Sequence, residues 1–444
     1  MSVRQQVEKD FVQFLEDHSK EVTKALSSMT KEYALKGLPQ DFRLPIMPRF
    51  FTDLELAQLE QTTNQFLALV RSVPQRIFKN DIEKISVEFG LPELKAKWIT
   101  DYFPPDFNTI GWARPDAYVW EDNVQFMEQN LTTGIGGFSF VELVNRFFEE
   151  HPAILQLRAK YDLQPLSVIE GIRNFFNEPT FRGKQVGYLD AIVPETGRVY
   201  DMEGSFLVDE LKKRGALIHY FETEHATSKN DKVYFDGKHI EVFLRNFPGD
   251  LISARLKDLM PILKSCGARN CFMVETPYDL VLMNKLILAY LSDEKYRHYF
   301  SKSESDFLDK VLPWTRRFNS ELVSVAEREK NNFVLKKGIG WQGRQVVMGA
   351  NSSVDDWKGA IANALRDGDW ILQKVIEAPL VEMPFLVDGE IKFGEVYQIS
   401  APFMFAGKLG GFSCRNSVPG GSKLLAMQGG QTGRTTVYKV GSKT

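Results

Sequence analysis

The sequence predicts a mixed α/β protein of several lobes, and three observations lead to this class. The chain has 444 residues, 43% of them hydrophobic, which is enough to bury a large core in two or three lobes. A strand at 185–193, a helix at 203–214 and a strand at 216–221 form a unit that favours a parallel sheet. Beyond Glu329, glycine and short strands become frequent. We therefore expect an α/β fold of the α+β, multi-lobed kind, with a preceding helical segment.

Two helical segments open the chain. Residues 1–40 carry an apolar stripe at helical spacing, and a glycine and a proline within 37–39 are expected to end it. The run 52–73 repeats the helical spacing of apolar residues. We expect Pro74 to close this second helix, because proline disfavours a helical conformation in the residue before it.

The next region predicts an antiparallel hairpin. Residues 111–120 and 124–130 alternate in character on either side of Asp122, which predicts two strands with a turn between them. In that register Asp116 lies opposite Glu128. Directly opposed carboxylates repel each other, so a cation is expected between them.

The same face of the hairpin carries Arg114 opposite Asn130. Magnesium takes oxygen ligands from one or two carboxylates and completes its shell with phosphate oxygens, which suits Asp116, Glu128 and the Asn130 amide. Arg114 is then available to hold an anion or to stabilise developing negative charge. The alternative on patterning alone is an ordinary hairpin with a solvated, charged face.

The middle of the chain continues the alternation of helices and strands. A short hairpin is predicted from strands at 233–235 and 240–243, joined at Asp236 and Gly237. Helical patterns are found at 138–148, 280–291 and 306–311.

A second phosphate-binding signal follows. Strands at 333–336 and 346–349 flank a loop that we expect to be flexible. The first strand ends in Lys336, which supplies a point charge, and the glycines of the loop let a phosphate come close to the backbone. The glycines of this loop are Gly338, Gly340 and Gly343. It is not a Walker A loop, because the lysine precedes the glycines. A common glycine-bearing hairpin is the alternative.

The elements after this loop make the signal more specific. A helix at 354–366 leads to a strand at 370–375, which we interpret as an apolar edge with free backbone groups suited to an adenine ring. Arg415, between glycines and a polar loop, is a candidate second anion clamp, with an ordinary surface arginine as the alternative.

Composition argues against several partners. The formal net charge is −3 and no basic stripe stands out, so neither nucleic acid nor membrane is expected as a partner. No apolar run is long enough to span a bilayer, and residues 1–20 are charged, so we expect a cytoplasmic protein. The three cysteines lack the spacings of a zinc site or a disulfide framework.

These motifs carry a family resemblance over roughly residues 100 to 420. The residues around Lys336, Gly343 and Gln373 look like the nucleotide lobe of an ATP-grasp ligase, and the pattern Arg114-x-Asp116 with Glu128-x-Asn130 resembles the glutathionylspermidine synthetase-like branch. In that branch the subdomains are circularly permuted, and here too the carboxylates precede the phosphate-binding loop. The resemblance implies an ATP-grasp-like fold with a permuted order of subdomains.

The resemblance also assigns roles. It implies that Asp116, Glu128 and Asn130 hold Mg²⁺, and that Arg114 stabilises a tetrahedral oxyanion. It implies further that ATP is bound by Lys285, Lys336 or Lys337, Gly340, Gly343 and the backbone of Gln373, Lys374 and Val375. The family often has proline after the loop lysine, whereas Lys337 follows Lys336 here, so the inward-facing lysine stays open at this stage. We find no amidase-like region.

Five segments are expected on this basis. They are a mainly helical region at 1–100, the hairpin with its magnesium and arginine residues at 101–180, a parallel α/β substrate-side lobe at 181–280, an ATP-binding lobe at 281–420 and a C-terminal tail at 421–444.

The expected activity is an ATP-dependent carboxylate-amine ligase that forms an amide through an acyl phosphate. Amino acids or peptides are the expected acid donors, small amines the acceptors, and a carrier-protein thiol is an alternative acceptor. The competing hypotheses are a phosphotransferase acting on a small molecule and a nucleotide-binding module without chemistry. A homodimer is the expectation for a soluble metabolic enzyme.

Overall fold

The computed structural model describes most of the chain. The described residues are 1–36, 46–107, 111–121, 123–190, 192–193, 197–198, 201–221, 226–246, 252, 256–340, 345–421 and 432–443. Three sequence predictions fall outside them, namely the break at 37–39, the turn residue Asp122 and Gly343.

The helices of the described chain lie between Val3 and Asp367, and strands alone follow. They are α1 (Val3–Asp17), α2 (Ser19–Leu35), α3 (Asp53–Phe78), α4 (Ile82–Glu88), α5 (Lys97–Tyr102), α6 (Phe138–Glu149), α7 (Pro152–Leu157), α8 (Val168–Phe176), α9 (Asp201–Lys213), α10 (Leu256–Gly267), α11 (Asp279–Leu282), α12 (Leu286–Ser292), α13 (Lys302–Val311), α14 (Val323–Arg328) and α15 (Val354–Asp367).

The strands lie between and after these helices. They are β1 (Arg49–Thr52), β2 (Trp112–Ala113), β3 (Asp116–Trp120), β4 (Asn123–Glu128), β5 (Tyr161–Pro165), β6 (Val186–Asp190), β7 (Ile192–Val193), β8 (Gly197–Arg198), β9 (Ile218–Tyr220), β10 (Ala226–Lys229), β11 (Lys232–Phe235), β12 (Lys238–His239), β13 (Val242–Asn246), β14 (Phe272–Met273), β15 (Thr315–Arg317), β16 (Phe333–Lys337), β17 (Val346–Met348), β18 (Trp370–Lys374), β19 (Val381–Val387), β20 (Glu390–Val396), β21 (Gln398–Phe405), β22 (Lys408–Ser417), β23 (Thr432–Thr435) and β24 (Val437–Ser442).

Three sheets bear on the site described below. The arginine sheet has the order β23-β22-β21-β3-β4, with β2 paired to β21. The lysine sheet has the order β15-β18-β16-β17, and the parallel sheet has the order β14-β13-β6-β9. The remaining described strands pair as β1-β24-β5, β10-β11-β12, β19-β20 and β7-β8.

The parallel sheet confirms the predicted strand-helix-strand unit. Strand β6 pairs in parallel with β9 on one side and with β13 on the other, and α9 connects β6 to β9. The predicted hairpin at 233–243 is partly wrong, because β11 pairs with β12, whereas β13 joins the parallel sheet. All five residues of β13 are buried, which suits a central strand better than an exposed hairpin arm.

The second predicted helix extends beyond its expected end. Helix α3 continues through Pro74 to Phe78 and ends at Lys79, which has a left-handed conformation. A proline inside a helix removes one hydrogen bond. Here Val70, Val73 and Pro74 are buried in the core, and this packing offsets the local cost.

The first and last strands of the described chain pair in one sheet. Strand β24 lies between β1 and β5, and Arg49 is in register with Val437. Residues that the sequence assigned to a C-terminal tail therefore include β23, in the arginine sheet, and β24. Among the described residues, no helix has the length and apolar character that crossing a bilayer requires.

Candidate active site

The hairpin of β3 and β4 has the predicted register. Asp116 is paired with Glu128, and the backbone N–H of Arg114 donates to the carbonyl of Asn130 at 3.0 Å. The register shifts between Asp116 and Ala117, an irregularity of the kind that re-aims side chains beside functional sites. The prediction that these four residues come together at one end of a hairpin is confirmed.

Asp116 is held in a buried ion pair with Arg415, which reaches it from β22. Burial alone would raise the pKa of this carboxyl, but the charges of Arg415 and Arg114 outweigh it and lower the pKa below its ordinary value. Oxygen Oδ1 of Asp116 is buried and has no hydrogen-bond partner. Asp116 is therefore an ionised carboxylate with one oxygen left for a cationic ligand.

Arg114 is fixed by the loop that follows the hairpin. Its Nη1 donates to the carbonyl oxygens of Ile135 and Gly136, both at 2.9 Å, and its guanidinium lies 5.4 Å from the centre of the Phe403 ring. The side chain is buried. Because several contacts hold it, the guanidinium is preorganised beside Asp116.

Glu128 connects the hairpin to the start of helix α12. Its Oε1 lies 3.0 Å from Nζ of Lys285, the residue directly before α12. Nζ of Lys285 also lies 3.4 Å from the carbonyl oxygen of Gly340, at the edge of the predicted phosphate loop. The predicted residues Glu128, Lys285 and Gly340 are thus brought together.

Lys336 enters the same space from the lysine sheet. Its Nζ donates to the carbonyl of Met127 at 3.0 Å and to Oε1 of Gln373 at 2.8 Å. Burial lowers the pKa of Lys336 to about 8, with Lys285 adding to the decrease and Glu128 opposing it. Gln373 in turn donates to Oγ1 of Thr315 at 3.0 Å, so its side chain positions the lysine.

The next residue, Lys337, lies on the opposite face of its strand. Its Nζ is 3.5 Å from Asp367 and 3.9 Å from Asp369. Consecutive residues of a strand point to opposite faces, so one lysine alone can face the hairpin. In this structure that lysine is Lys336.

The predicted adenine edge needs a correction. Strand β18 is an interior strand of the lysine sheet, between β15 and β16, so it is not an edge with free backbone groups. The N–H of Lys374 donates to the carbonyl of Trp314, and that of Val375 donates to the carbonyl of Asn332, both at 2.9 Å. These two amide donors are therefore engaged within the protein, and recognition of an adenine there stays a prediction that requires other atoms.

A further cationic residue, Arg434, was missed in the sequence. It lies on β23 directly opposite Arg415 on β22, and its guanidinium is 4.6 Å from the centre of the Phe140 ring. Burial, with the charges of Arg415 and Arg114, lowers the pKa of Arg434 to about 9. The sequence analysis missed it because residues 421–444 were assigned to a C-terminal tail and no strand was predicted there.

Five cationic side chains are buried in or beside this site. We define the cation cluster as Arg114, Lys285, Lys336, Arg415 and Arg434. Among the described residues, two carboxylates, Asp116 and Glu128, are in contact with members of this cluster. Several buried cationic side chains close together attract anions, so the site suits a polyanionic ligand.

The residues present also fit a magnesium ion. Asp116 offers a buried oxygen without a partner, and Glu128 is its neighbour across the hairpin. Asn130 has a φ of +30°, a strained value of the kind found at ligand sites. No group of three or more His, Cys, Asp or Glu side chains suited to a metal is found among the described residues, so phosphate oxygens would have to complete the shell.

A second buried group of charges, which we call the inner cluster, contacts the loop after β4. Arg245 and Asp279 form an ion pair at 2.7 Å, and both are fully buried. Asp279 also accepts a hydrogen bond from Oγ1 of Thr132 at 2.7 Å. Nearby Glu275 accepts one from the N–H of Trp112 at 2.9 Å. Burial, and then the charge of Asp279, raises the pKa of Glu275 to about 8.

Comparisons with known proteins identify the fold. No protein-family model matches the chain, and no curated protein matches it. Among solved structures it is similar to a glutathione synthetase-like effector from Globodera pallida in its apo form, with 12% identity, a TM-score of 0.55 and coverage of 95% of this chain and 97% of that one. The chain therefore shares a mixed α/β, ATP-grasp-like fold with this effector.

A second solved structure is more distant. A protein from Methylobacillus flagellatus KT described as a putative gamma-glutamylcysteine synthetase matches with 12% identity and a TM-score of 0.42, over 88% of this chain and 89% of that one.

Proposed function

We propose that this protein is an ATP-dependent carboxylate-amine ligase that joins an amino acid or peptide acid to an amine with release of ADP and phosphate. The observation that carries the proposal is the hairpin of β3 and β4, whose paired residues Asp116 and Glu128 contact Arg415 on one side and Lys285 on the other. Two kinds of cation thus meet at one pair of carboxylates.

The lysine side suits the nucleotide. Lys285 and Lys336 are compact ammonium charges beside Glu128, and Lys285 also contacts the carbonyl of Gly340. Lysine commonly binds phosphate oxygens through its compact positive charge. ATP bound here would place its terminal phosphate next to the hairpin.

The arginine side suits the acid and its acyl intermediate. Arg114 and Arg415 carry planar guanidinium groups that match carboxylates in two-point contacts. Asp116 lies between them and the lysine side, so a substrate carboxylate held by arginine can reach the terminal phosphate. Magnesium bound by Asp116, Glu128 and Asn130 would supply charge neutralisation for the phosphates.

The reaction would then have two steps. The substrate carboxylate attacks the γ-phosphorus of ATP, the bond to the β-phosphate oxygen breaks, and an acyl phosphate and ADP result. The amine attacks the acyl carbon, phosphate leaves and one proton is released to give the amide. Arg114 stabilises the oxyanion of this second step, since its contacts to Ile135 and Gly136 hold it in place.

Mass spectrometry of an incubation with MgATP and pooled amino acids, small peptides and polyamines tests the proposal. We expect a product that weighs the sum of two substrates less one water, formed together with ADP. A phosphorylated substrate without a condensation product would mean that the protein is a phosphotransferase and not a ligase. ATP binding without any product would favour a binding module.

A further inference from the structure

Two cysteine side chains meet where helix α10 ends and strand β14 begins. Sγ of Cys266 lies 3.2 Å from Sγ of Cys271, and both residues are partly exposed. Their spacing along the chain matches no zinc site or disulfide framework, but the turn between them brings the two thiols into contact. The third cysteine, Cys414, is buried in β22.

Backbone hydrogen bonds fix the turn between the two cysteines. The N–H of Arg269 donates to the carbonyl of Cys266, and the N–H of Asn270 donates to that of Ser265, both at 2.9 Å. Arg269 has a φ of +59°, the left-handed conformation with which a chain commonly leaves a helix. The chain therefore returns alongside the last turn of α10, and this places Cys271 next to Cys266.

The backbone on both sides of the turn is anchored. Cys266 belongs to α10, whereas Cys271 directly precedes β14, where the N–H of Phe272 donates to the carbonyl of Glu241 at 2.9 Å. A disulfide bond is about 2.05 Å long, so the two sulfurs need to approach each other by roughly 1 Å. An approach of this size needs no rearrangement of the helix or the strand.

The surroundings let a small reagent reach the thiols. Gly267, Ala268 and Arg269, which lie between the cysteines in the chain, are exposed. The hydrogen bond with Cys266 lowers the pKa of the Cys271 thiol below its ordinary value, although burial opposes this effect. Since the thiolate is the form that attacks a disulfide, Cys271 is the first nucleophile of the pair.

We propose that Cys266 and Cys271 are a reversible modification site that reacts with low-molecular-weight disulfides, such as oxidised glutathione, and closes to an intramolecular disulfide bond. The Cys271 thiolate attacks one sulfur of the small disulfide, which forms a mixed disulfide and releases one glutathione. Cys266 loses its proton and attacks the Cys271 sulfur, and the second glutathione leaves. Two protein thiols are thereby oxidised by two electrons, and the small disulfide is reduced to two thiols that take up the two protons. The site is independent of the proposed ligase function.

Peptide mapping of the folded, full-length protein tests this inference after equilibration with oxidised and reduced glutathione and alkylation of the remaining thiols. Trypsin cleaves after Lys264, Arg269 and Lys285, so the bond would join peptide 265–269 to peptide 270–285. We expect this linked pair, with a mass about 2 Da below the sum of the two free peptides, and its disappearance after reduction with dithiothreitol. The matched control Cys414→Ala should give the same linked pair, because Cys414 lies on another strand.

Two further variants test the order of the steps. Cys266→Ser lacks the second thiol, so it should accumulate a glutathione adduct on Cys271 that does not resolve. Cys271→Ser should form an adduct on Cys266 more slowly, because the more readily ionised thiol is lost.

The same equilibration in urea measures what the fold contributes. At a fixed concentration of reduced glutathione, the folded protein should be half oxidised at an at least about tenfold lower concentration of oxidised glutathione than the unfolded chain, because folding holds the two sulfurs together.

Free thiols in the folded wild-type protein at every glutathione ratio would overturn the inference, and so would glutathione adducts without the linked peptides. Equal half-oxidation points for the folded and the unfolded chain would do the same, since the fold would then contribute nothing to the bond. These results are all obtained on the wild-type protein, so they decide the question even where a serine variant does not fold.

Discussion

The inner cluster and the candidate active site both bury charged side chains, but they balance charge differently. In the inner cluster Arg245 is matched by Asp279, and Glu275 is kept neutral at pH 7 by a pKa of about 8. In the candidate site Arg415 is paired with Asp116 and Lys285 with Glu128, and three further cationic side chains, those of Arg114, Lys336 and Arg434, are buried close to these pairs.

This difference distinguishes buried charges that stabilise the fold from buried charges that bind a ligand. A protein interior tolerates charges that are paired or neutralised, as in the inner cluster. An excess of one sign costs free energy and is retained where a ligand compensates it. By this criterion we propose that the cation cluster binds a ligand, whereas Arg245 and Asp279 hold the loop after β4 and Glu275 binds the backbone of β2.

The largest expected effect comes from removing Arg114, and it tests the catalytic use of the cation cluster. Arg114→Ala should raise the barrier by about 3 to 4 kcal/mol, a loss of turnover of roughly 10²- to 10³-fold, because one donor to the oxyanion is lost. ATP affinity should change little, since Lys285 and Lys336 remain. The rate of ADP release and equilibrium binding of ATP give the two quantities.

Arg114→Lys is the matched variant for this test. It keeps the charge but lacks the planar group that donates to Ile135 and Gly136, so most of the loss should persist. Thermal unfolding of both variants shows whether the hairpin is intact. Near wild-type turnover in a folded Arg114→Ala protein would mean that Arg114 does not stabilise the oxyanion.

The next effect distinguishes two adjacent lysines. Lys336→Met should weaken ATP binding by roughly 1.5 to 3 kcal/mol, because a charged contact to phosphate is lost. Lys337→Met should leave it nearly unchanged, since Lys337 faces Asp367 and Asp369. Equal effects of both variants on the ATP dissociation constant would contradict the division of the strand into two faces.

The pH dependence of ATP binding sharpens the same test. The pKa of Lys336 is lowered to about 8, so the ammonium is present below that pH and is lost as the pH rises through it. The ATP dissociation constant of the wild-type protein should therefore increase above pH 8. The curve for Lys336→Met should lack this increase.

Some features of the fold and of the candidate site were predicted from sequence because they depend on local patterns. The two-residue period of a strand placed Asp116 opposite Glu128, and the lysine before a glycine loop was found from its neighbours in the chain. The strand-helix-strand unit of β6, α9 and β9 was found in the same way. In each case a pattern of strand, helix or glycine spacing within the segment itself predicted the element.

The remaining features depend on pairings between distant segments. Sequence did not show that β15 covers β18 and makes it an interior strand, or that Arg434 lies opposite Arg415. Local proline rules also failed for α3, where packing offsets the cost of Pro74. The inner cluster was missed because each of its members, taken alone, is an ordinary polar residue near a strand end.

The smallest expected effect concerns stability and tests the structural role of the inner cluster. The folded protein keeps a proton on Glu275 up to a pKa of about 8, whereas an ordinary carboxyl in the unfolded chain releases it near 4.5. The folded state therefore binds more protons between these values, and the contribution of Glu275 to the free energy of unfolding falls as the pH rises through this window. Glu275→Gln keeps a neutral acceptor for the Trp112 N–H and removes that fall. Above pH 8 the variant should therefore be more stable than wild type. Urea unfolding at pH 5, 7 and 9 measures the difference, with the exposed residue Glu321 changed to glutamine as the control.

A variant whose stability follows the wild-type pH curve would mean that Glu275 is ionised in the folded protein. The inner cluster would then carry a net charge instead of a balanced one.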